Sequence, residues 1–112
     1  MKIYHNPRCS KSRQTLQLIK ESGKQVDVIE YLVDVPTKAE LKNIVGLLRI
    51  KPEQLLRKNE AIYKEQFKGK NLSDDEWIAA MVKNPKLIER PIVIEGKKAV
   101  LGRPPENVLD LL

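Results

Sequence analysis

Short apolar runs lie near both ends of the chain, and a long stretch with helical spacing separates them. The runs predict four strands, at Lys2–His5, 26–31, 92–94 and 99–101, the last two joined by a turn at 95–97. Between the first two runs, Leu16 and Ile19 have helical spacing within 10–22, and Gly23 follows in a position that often ends a helix. The beginning of the chain therefore predicts a strand, a helix and a parallel second strand.

The middle of the chain, residues 36–85, predicts a block of helices. One helix starts after Thr37, and Glu40 three residues later completes a capping box. Ser73 and Glu76 repeat this pattern at the start of another helix, which ends before an Asn-Pro pair.

Three further patterns complete the helical prediction. Apolar residues continue the helical spacing over 55–67. Trp77 and Met81 lie about one turn apart, and we interpret them as core residues rather than a binding surface. Two prolines at 104–105 begin a last helix over 108–112, which is allowed because the first amides of a helix have no internal acceptor.

The resulting order of elements, βαβ, helices and then ββα, is that of a thioredoxin-like α/β fold with a mixed sheet. The 112 residues suit one domain, 1–112, in which a helical insertion at about 36–85 separates the two halves. Ligand sites of such sheets lie at the carboxyl ends of parallel strands. Cys9 falls just past the first of these ends.

Composition and charge exclude several kinds of protein. The net charge is +6, but the basic residues are spread along the chain and only one tryptophan, three tyrosines and one phenylalanine are present, so no nucleic-acid partner is expected. No apolar stretch approaches the ~20 residues of a membrane span and no signal peptide is visible, so we expect a cytoplasmic monomer that binds no membrane. One cysteine and one histidine can form neither an internal disulfide nor a zinc site, so no metal is expected.

The strongest chemical signal lies in residues 6–13. Cys9, the only cysteine, lies where a proline-containing loop gives way to a helix. Free amides and the macrodipole make that end partly positive, so a thiolate or an oxyanion is stabilised there, and Arg8, Lys11 and Arg13 add positive charge. Such a setting commonly lowers a cysteine pKa from about 8.5 to between roughly 3.5 and 7.5. The alternative is a small buried apolar residue, which the polar neighbours disfavour, so we interpret Cys9 as a reactive thiol.

Three residues around Cys9 have predicted roles, and for two of them alternatives stay open. Ser12 lies one turn along the helix, so its hydroxyl can reach the sulfur, or it is an ordinary first-turn serine. His5 either lowers the pKa of the thiol through its charge, supports Ser12 by hydrogen bonding, or is structural. Asn6 is expected to shape the loop.

Four stretches in order resemble the glutaredoxin-dependent, thioredoxin-fold arsenate reductase family, which includes related regulators of RNA polymerase. They are HNPRCSKSR, LLRKNE, LIERPIVI and GRPPENVLDLL, and the resemblance covers almost the whole chain. It implies that Cys9 is the nucleophile that attacks arsenate. Arg57, Arg90 and Arg103 would surround the oxyanion, for which the planar donor fork of arginine is well suited. It also implies a cis bond before Pro91.

The resemblance implies a reductant as well. No cofactor would be bound; glutathione, as co-substrate, would attack the thiol–arsenate adduct, and glutaredoxin would reduce the mixed disulfide. An outside thiol is required because a disulfide needs two thiols and the chain supplies one. The alternative is a redox-sensing or RNA-polymerase-binding regulator without turnover. The absence of a second cysteine and the presence of the three arginines disfavour it.

The remaining candidate site residues flank Cys9. Thiolate support is predicted for His5 and Ser12, and substrate contact for Asn6, Arg8, Ser10 and Lys11. Arg8, Ser10 and Lys11 differ from the smaller or less charged residues often found beside the cysteine in this family. Arg8 and Lys11 add positive charge beside Cys9, which can change the substrate preference.

Overall fold

The elements follow one another in nearly the order that the sequence predicts. A computed structural model describes residues 1–112. Its helices and strands are β1 (Lys2–His5), α1 (Ser10–Glu21), β2 (Asp27–Glu30), α2 (Lys38–Leu48), α3 (Ala61–Gln66), α4 (Asp74–Lys83), β3 (Ile92–Glu95) and β4 (Lys98–Leu101). Three 3₁₀ helices lie at Pro52–Leu55, Pro85–Leu87 and Pro105–Leu111.

The chain divides into two compact units. The first unit combines Met1–Asp34 with Arg90–Leu112, and the second is Val35–Glu89. The second unit contains the whole of the predicted helical insertion, 36–85, while the assignment of 1–112 to one domain stays a prediction. No helix in either unit has the length and apolar character needed to cross a membrane.

All four strands belong to the first unit and form one sheet in the order β2-β1-β3-β4. β1 is parallel to β2 and antiparallel to β3, which in turn is antiparallel to β4. Ile3 in β1 lies between Val28 and Val93 and is fully buried, whereas Val28 on the edge strand is 45% exposed. The predicted mixed, thioredoxin-like sheet is therefore confirmed, with β2 shorter than the predicted 26–31.

The core of this unit joins the sheet to α1 and to the last helix. Its buried members are Ile3, Ile19, Val93, Val108 and Leu111. Burial of each such side chain contributes on the order of 1.5–3 kcal/mol. The last helix is a 3₁₀ helix over Pro105–Leu111. It begins at the predicted proline pair, where proline is tolerated because the first amides of a helix have no internal acceptor, and its regular part includes the residues before Val108.

In the second unit, both predicted capping boxes form. The hydroxyl of Thr37 accepts the N–H of Glu40, and Ser73 accepts that of Glu76 in the same way. The core assignment of Trp77 and Met81 is also confirmed, since both side chains are buried.

The prediction of continuous helical structure over 55–67 is wrong for residues 56–60. Leu56 has an extended backbone and pairs with Ile88 in an isolated antiparallel bridge. The next N–H, that of Arg57, donates to the Leu87 carbonyl at 2.7 Å. Hydrogen bonds to a distant segment thus replace the helical ones, which spacing alone does not reveal.

Candidate active site

The loop that precedes α1 is held by hydrogen bonds to Asn6. The carbonyl oxygen of Asn6 accepts the N–H of Cys9, and its side-chain oxygen accepts the N–H of Arg8, both at 3.0 Å. The N–H of Asn6 donates to the Ser12 hydroxyl, also at 3.0 Å. These bonds agree with the predicted loop-shaping role of Asn6, and its contact with substrate stays a prediction.

Cys9 immediately precedes α1 and has only 7% of its surface exposed. Burial by itself raises the pKa of the thiol. The backbone N–H of Ser12 and the charge of Arg90 lower this pKa, as do the N–H of Lys11 and the charge of Arg103, and together they outweigh burial. The net shift of the Cys9 pKa is downward, so a buried cysteine here is also a stabilised thiolate.

Two arginines from the other end of the chain act on this sulfur. Nη2 of Arg103 lies 3.7 Å from Sγ of Cys9, and Nε of Arg103 donates to the Arg90 carbonyl at 2.8 Å. The Arg90 side chain is itself buried. The cis bond implied before Pro91 is confirmed, and the Arg103–Pro104 bond is cis as well.

Sequence reasoning missed two residues that hold this segment in place, Gly102 and Thr15. The N–H of Gly102 donates to the Pro91 carbonyl at 2.9 Å, and the buried Thr15 hydroxyl donates to the Lys11 carbonyl at 2.8 Å. A Cβ atom on Gly102 would lie 2.7 Å from Cγ of Pro91 and 2.5 Å from Oγ1 of Thr15, which is too close for any side chain. The sequence feature that could have pointed to Gly102 is its position directly before Arg103 and Pro104.

His5 and Ser12 form a buried polar pair beside the loop. Nδ1 of His5 and Oγ of Ser12 are 2.6 Å apart. Burial lowers the pKa of His5, and the positive charges of Lys20 and Arg13 lower it too, against an opposing effect of Glu30. A lowered pKa favours the neutral form of the ring, and this favours the hydrogen-bonding role of His5 over the charge role.

The predicted contact between Ser12 and the sulfur takes a different form from the one expected. The Ser12 hydroxyl is bonded to His5 and to the N–H of Asn6. The backbone N–H of Ser12 is the group that lowers the pKa of the Cys9 thiol. The backbone of Ser12 in the first turn, rather than its hydroxyl, thus acts on the thiol.

The other predicted site residues that flank Cys9, namely Arg8, Ser10 and Lys11, have exposed side chains. The charges that lower the pKa of Cys9 are not those of Arg8, Lys11 and Arg13, as the sequence suggested, but those of the two distant arginines. The Arg13 guanidinium instead donates to the backbone carbonyl of Pro7, at 2.9 Å. Contact of these residues with substrate stays a prediction.

Arg57 belongs to the second unit, Val35–Glu89. Its guanidinium forms ion pairs with Glu60 and with Glu89, the latter at 3.9 Å. The bridge at Leu56 and Ile88 fixes the backbone on which Arg57 lies. Its predicted role at the oxyanion stays a prediction.

The first unit thus combines the parts needed for covalent chemistry on an oxyanion. Cys9 supplies a stabilised thiolate at the start of a helix, and two guanidinium groups supply positive charge at the same point. A nucleophile beside preorganised cationic donors can attack an anionic centre and stabilise the charge of the resulting adduct.

Comparisons with known proteins define the family. The profile of the ArsC family matches residues 4–111, so the chain belongs to the ArsC family. It is 47% identical over 114 residues to the uncharacterized protein YfgD of Escherichia coli strain K12, covering 100% of this chain and 96% of that protein. It is 42% identical over 110 residues to the arsenate reductase of Neisseria meningitidis serogroup B strain MC58, covering 96% and 94% of the two chains. The solved structure of an arsenate reductase from Vibrio cholerae is 47% identical and matches with a TM-score of 0.95, covering 100% of this chain and 98% of that chain.

Proposed function

We propose that the protein is an arsenate reductase that forms a covalent adduct between Cys9 and arsenate. The observation that carries the proposal is the Cys9 sulfur at the start of α1 with the Arg103 guanidinium 3.7 Å away. Arsenate reductases that match this chain over nearly their whole length support the same activity.

The first step is attack of the Cys9 thiolate on arsenic. An S–As bond forms, and one arsenate oxygen takes up protons and leaves as water. The arginine charges at Arg90 and Arg103 and the first amides of α1 stabilise the oxygens of the adduct. A lowered pKa of Cys9 increases the fraction of the nucleophilic thiolate at a given pH.

The second step uses glutathione as co-substrate, with no bound cofactor. Its thiolate attacks the Cys9 sulfur, and the S–As bond breaks with its electron pair remaining on arsenic. Arsenic passes from As(V) to As(III) and leaves as arsenite, while Cys9 and glutathione form a mixed disulfide. A glutaredoxin thiol then attacks the glutathione sulfur and releases the Cys9 thiolate. The two electrons come from the two thiols that form the disulfide.

Other residues have supporting roles in the proposal. His5 and Ser12 hold the loop and the first turn that surround the sulfur. Arg57 is proposed as a third cation for the oxyanion, by the resemblance of its LLRKNE stretch. We further propose that a single chain acts in the cytoplasm, where glutathione and glutaredoxin are available.

A coupled assay tests the proposal. NADPH oxidation is followed with arsenate, glutathione, glutaredoxin and glutathione reductase, and each component is omitted in turn. We expect turnover that requires arsenate and falls by at least about 1,000-fold in Cys9→Ser, because the nucleophile is lost. Lys97→Gln, a change at an exposed turn residue, serves as the control with unchanged turnover.

Two outcomes would contradict the proposal. Full turnover by a folded Cys9→Ser variant would exclude the covalent mechanism. No turnover by the wild type, despite rapid alkylation of Cys9, would favour a regulator that binds without reducing arsenate.

A further inference from the structure

We infer that Arg8 and Lys11 form a cationic collar that binds the carboxylates of the thiol co-substrate, so that the site selects an anionic thiol over a neutral one. The inference rests on the proposed function and deepens it. It assigns these two side chains to the second reactant rather than to the oxyanion.

The backbone under both collar residues is fixed. The N–H of Arg8 is bonded to the Asn6 side chain at 3.0 Å. The N–H of Lys11 lies in the first turn of α1 and lowers the pKa of Cys9, and the Lys11 carbonyl accepts the Thr15 hydroxyl at 2.8 Å. Two cationic side chains therefore start from positions on either side of Cys9 that the loop and the helix hold in place.

The charges of Arg8 and Lys11 are not neutralised by carboxylates of the protein. Both side chains are exposed, and neither forms a salt bridge, in contrast to Lys24 and Lys42, which pair with carboxylates. Neither charge contributes to the lowered pKa of Cys9, which Arg90 and Arg103 supply. Exposed and uncompensated cations beside a reactive sulfur attract an anion from solution.

The positions of the negative charges in arsenate and in glutathione indicate which of the two the collar binds. Arsenate is small, and its charge lies on the atoms that touch arsenic, so buried Arg90 and the nearby Arg103 match it. Glutathione reacts through a thiol that is several bonds away from both of its carboxylates. When its sulfur reaches the buried Cys9, its carboxylates remain in the exposed region, where the collar lies.

The expected effect is modest because the contacts are exposed. Surface ion pairs contribute little each, so two of them correspond to a preference of roughly 3- to 10-fold. Such pairs are screened by salt, so the preference should fall as ionic strength rises.

A comparison of two thiols with one reactive group tests the collar. The protein is mixed with saturating arsenate, and arsenite release is then measured by anion-exchange chromatography after addition of limiting glutathione or glutathione diethyl ester, without glutaredoxin. The rate with Cys9→Ser is subtracted as background. We expect wild type to react roughly 3- to 10-fold faster with glutathione than with the ester, and an Arg8→Gln/Lys11→Gln variant to react equally with both.

The matched control is Lys2→Gln/Lys97→Gln, which removes the same charge from exposed residues. The register of β1 and β3 puts Lys2 opposite Ile94, next to the turn that contains Lys97 and away from the His5 end of β1. We expect this control to keep the preference. Circular dichroism checks that both double variants are folded, and the ratio of the two rates cancels any general change in reactivity.

Three results would overturn the collar. The first is an equal rate of wild type with both thiols, and the second is a preference that persists in Arg8→Gln/Lys11→Gln. The third is an equal loss of preference in the control, which would show an effect of net charge alone. Absence of arsenite with every thiol would overturn the proposed function itself, which distinguishes the two failures.

Discussion

The starts of α1 and α4 differ in what pairs with the backbone N–H groups that have no acceptor inside the helix. At α4, the Ser73 hydroxyl accepts the N–H of Glu76 at 3.2 Å, the Glu76 carboxylate accepts the N–H of Ser73 at 3.0 Å, and the first turn is acidic. At α1, Cys9 occupies the capping position, makes no side-chain cap hydrogen bond of this kind, and the first turn contains no acidic residue.

The comparison shows what the free amides of a helix can be used for. The backbone N–H of Ser73 is the largest cause that lowers the pKa of the Glu76 carboxyl. At α1 the N–H groups of Ser12 and Lys11 lower the pKa of the Cys9 thiol in the same way, against burial. In α4 the amides are satisfied by the protein for stability, and in α1 they stabilise a reactive anion.

The largest expected effect in this comparison is that of Ser12→Ala. Removal of the hydroxyl leaves buried Nδ1 of His5 and the N–H of Asn6 without their present partner. We expect the free energy of unfolding to fall by about 1–3 kcal/mol, measured by urea denaturation. Ser10→Ala, two residues earlier and exposed, is the matched control and should change stability little. Equal effects of the two variants would show that the His5–Ser12 pair does not stabilise the loop.

Ser73→Ala removes the cap of α4 and should lower the stability of the protein without changing the reactivity of Cys9. Loss of the Ser73 hydroxyl removes half of the capping box, so we expect a loss of about 1 kcal/mol in the free energy of unfolding. The rate of Cys9 alkylation by iodoacetamide should stay at the wild-type value. A slower alkylation would show that the α4 cap also affects the cysteine.

The smallest expected change in stability comes from Lys11→Glu, which makes the first turn of α1 acidic like that of α4. A carboxylate there favours the helix by about 0.3–1 kcal/mol. The shorter glutamate side chain keeps its negative charge nearer to the first amides of α1 than the exposed lysine ammonium, so we expect the pKa of Cys9 to rise.

The pH dependence of Cys9 alkylation measures this effect. Only the thiolate reacts, and the wild-type pKa of Cys9 is lowered from its usual value, so the wild-type rate should persist at a pH where an ordinary thiol reacts slowly. We expect the midpoint of the profile to move upward in Lys11→Glu. Lys11→Gln separates the loss of a cation from the gain of a carboxylate. A profile that is the same in Lys11→Glu and wild type would show that a charge at position 11 does not act on the thiolate.

The features that could be predicted from the sequence are those that depend on neighbouring residues. The capping boxes at Thr37 and Ser73, the helix start after Cys9 and the β3–β4 hairpin all follow from hydrogen bonds and side-chain preferences within a few residues. The core positions of Trp77 and Met81 followed from helical spacing for the same reason.

The charges that act on the cysteine, in contrast, depend on contacts between distant parts of the chain. Spacing pointed to Arg8, Lys11 and Arg13, but Arg90 and Arg103 lower the pKa of Cys9, and Arg103 is 94 positions away in the chain. The resemblance to a family named the two distant arginines, but no local pattern could place them. Their approach depends on the pairing of β3 with β1 and on the close contact that Gly102 permits, and these long-range contacts form only when the whole unit is packed.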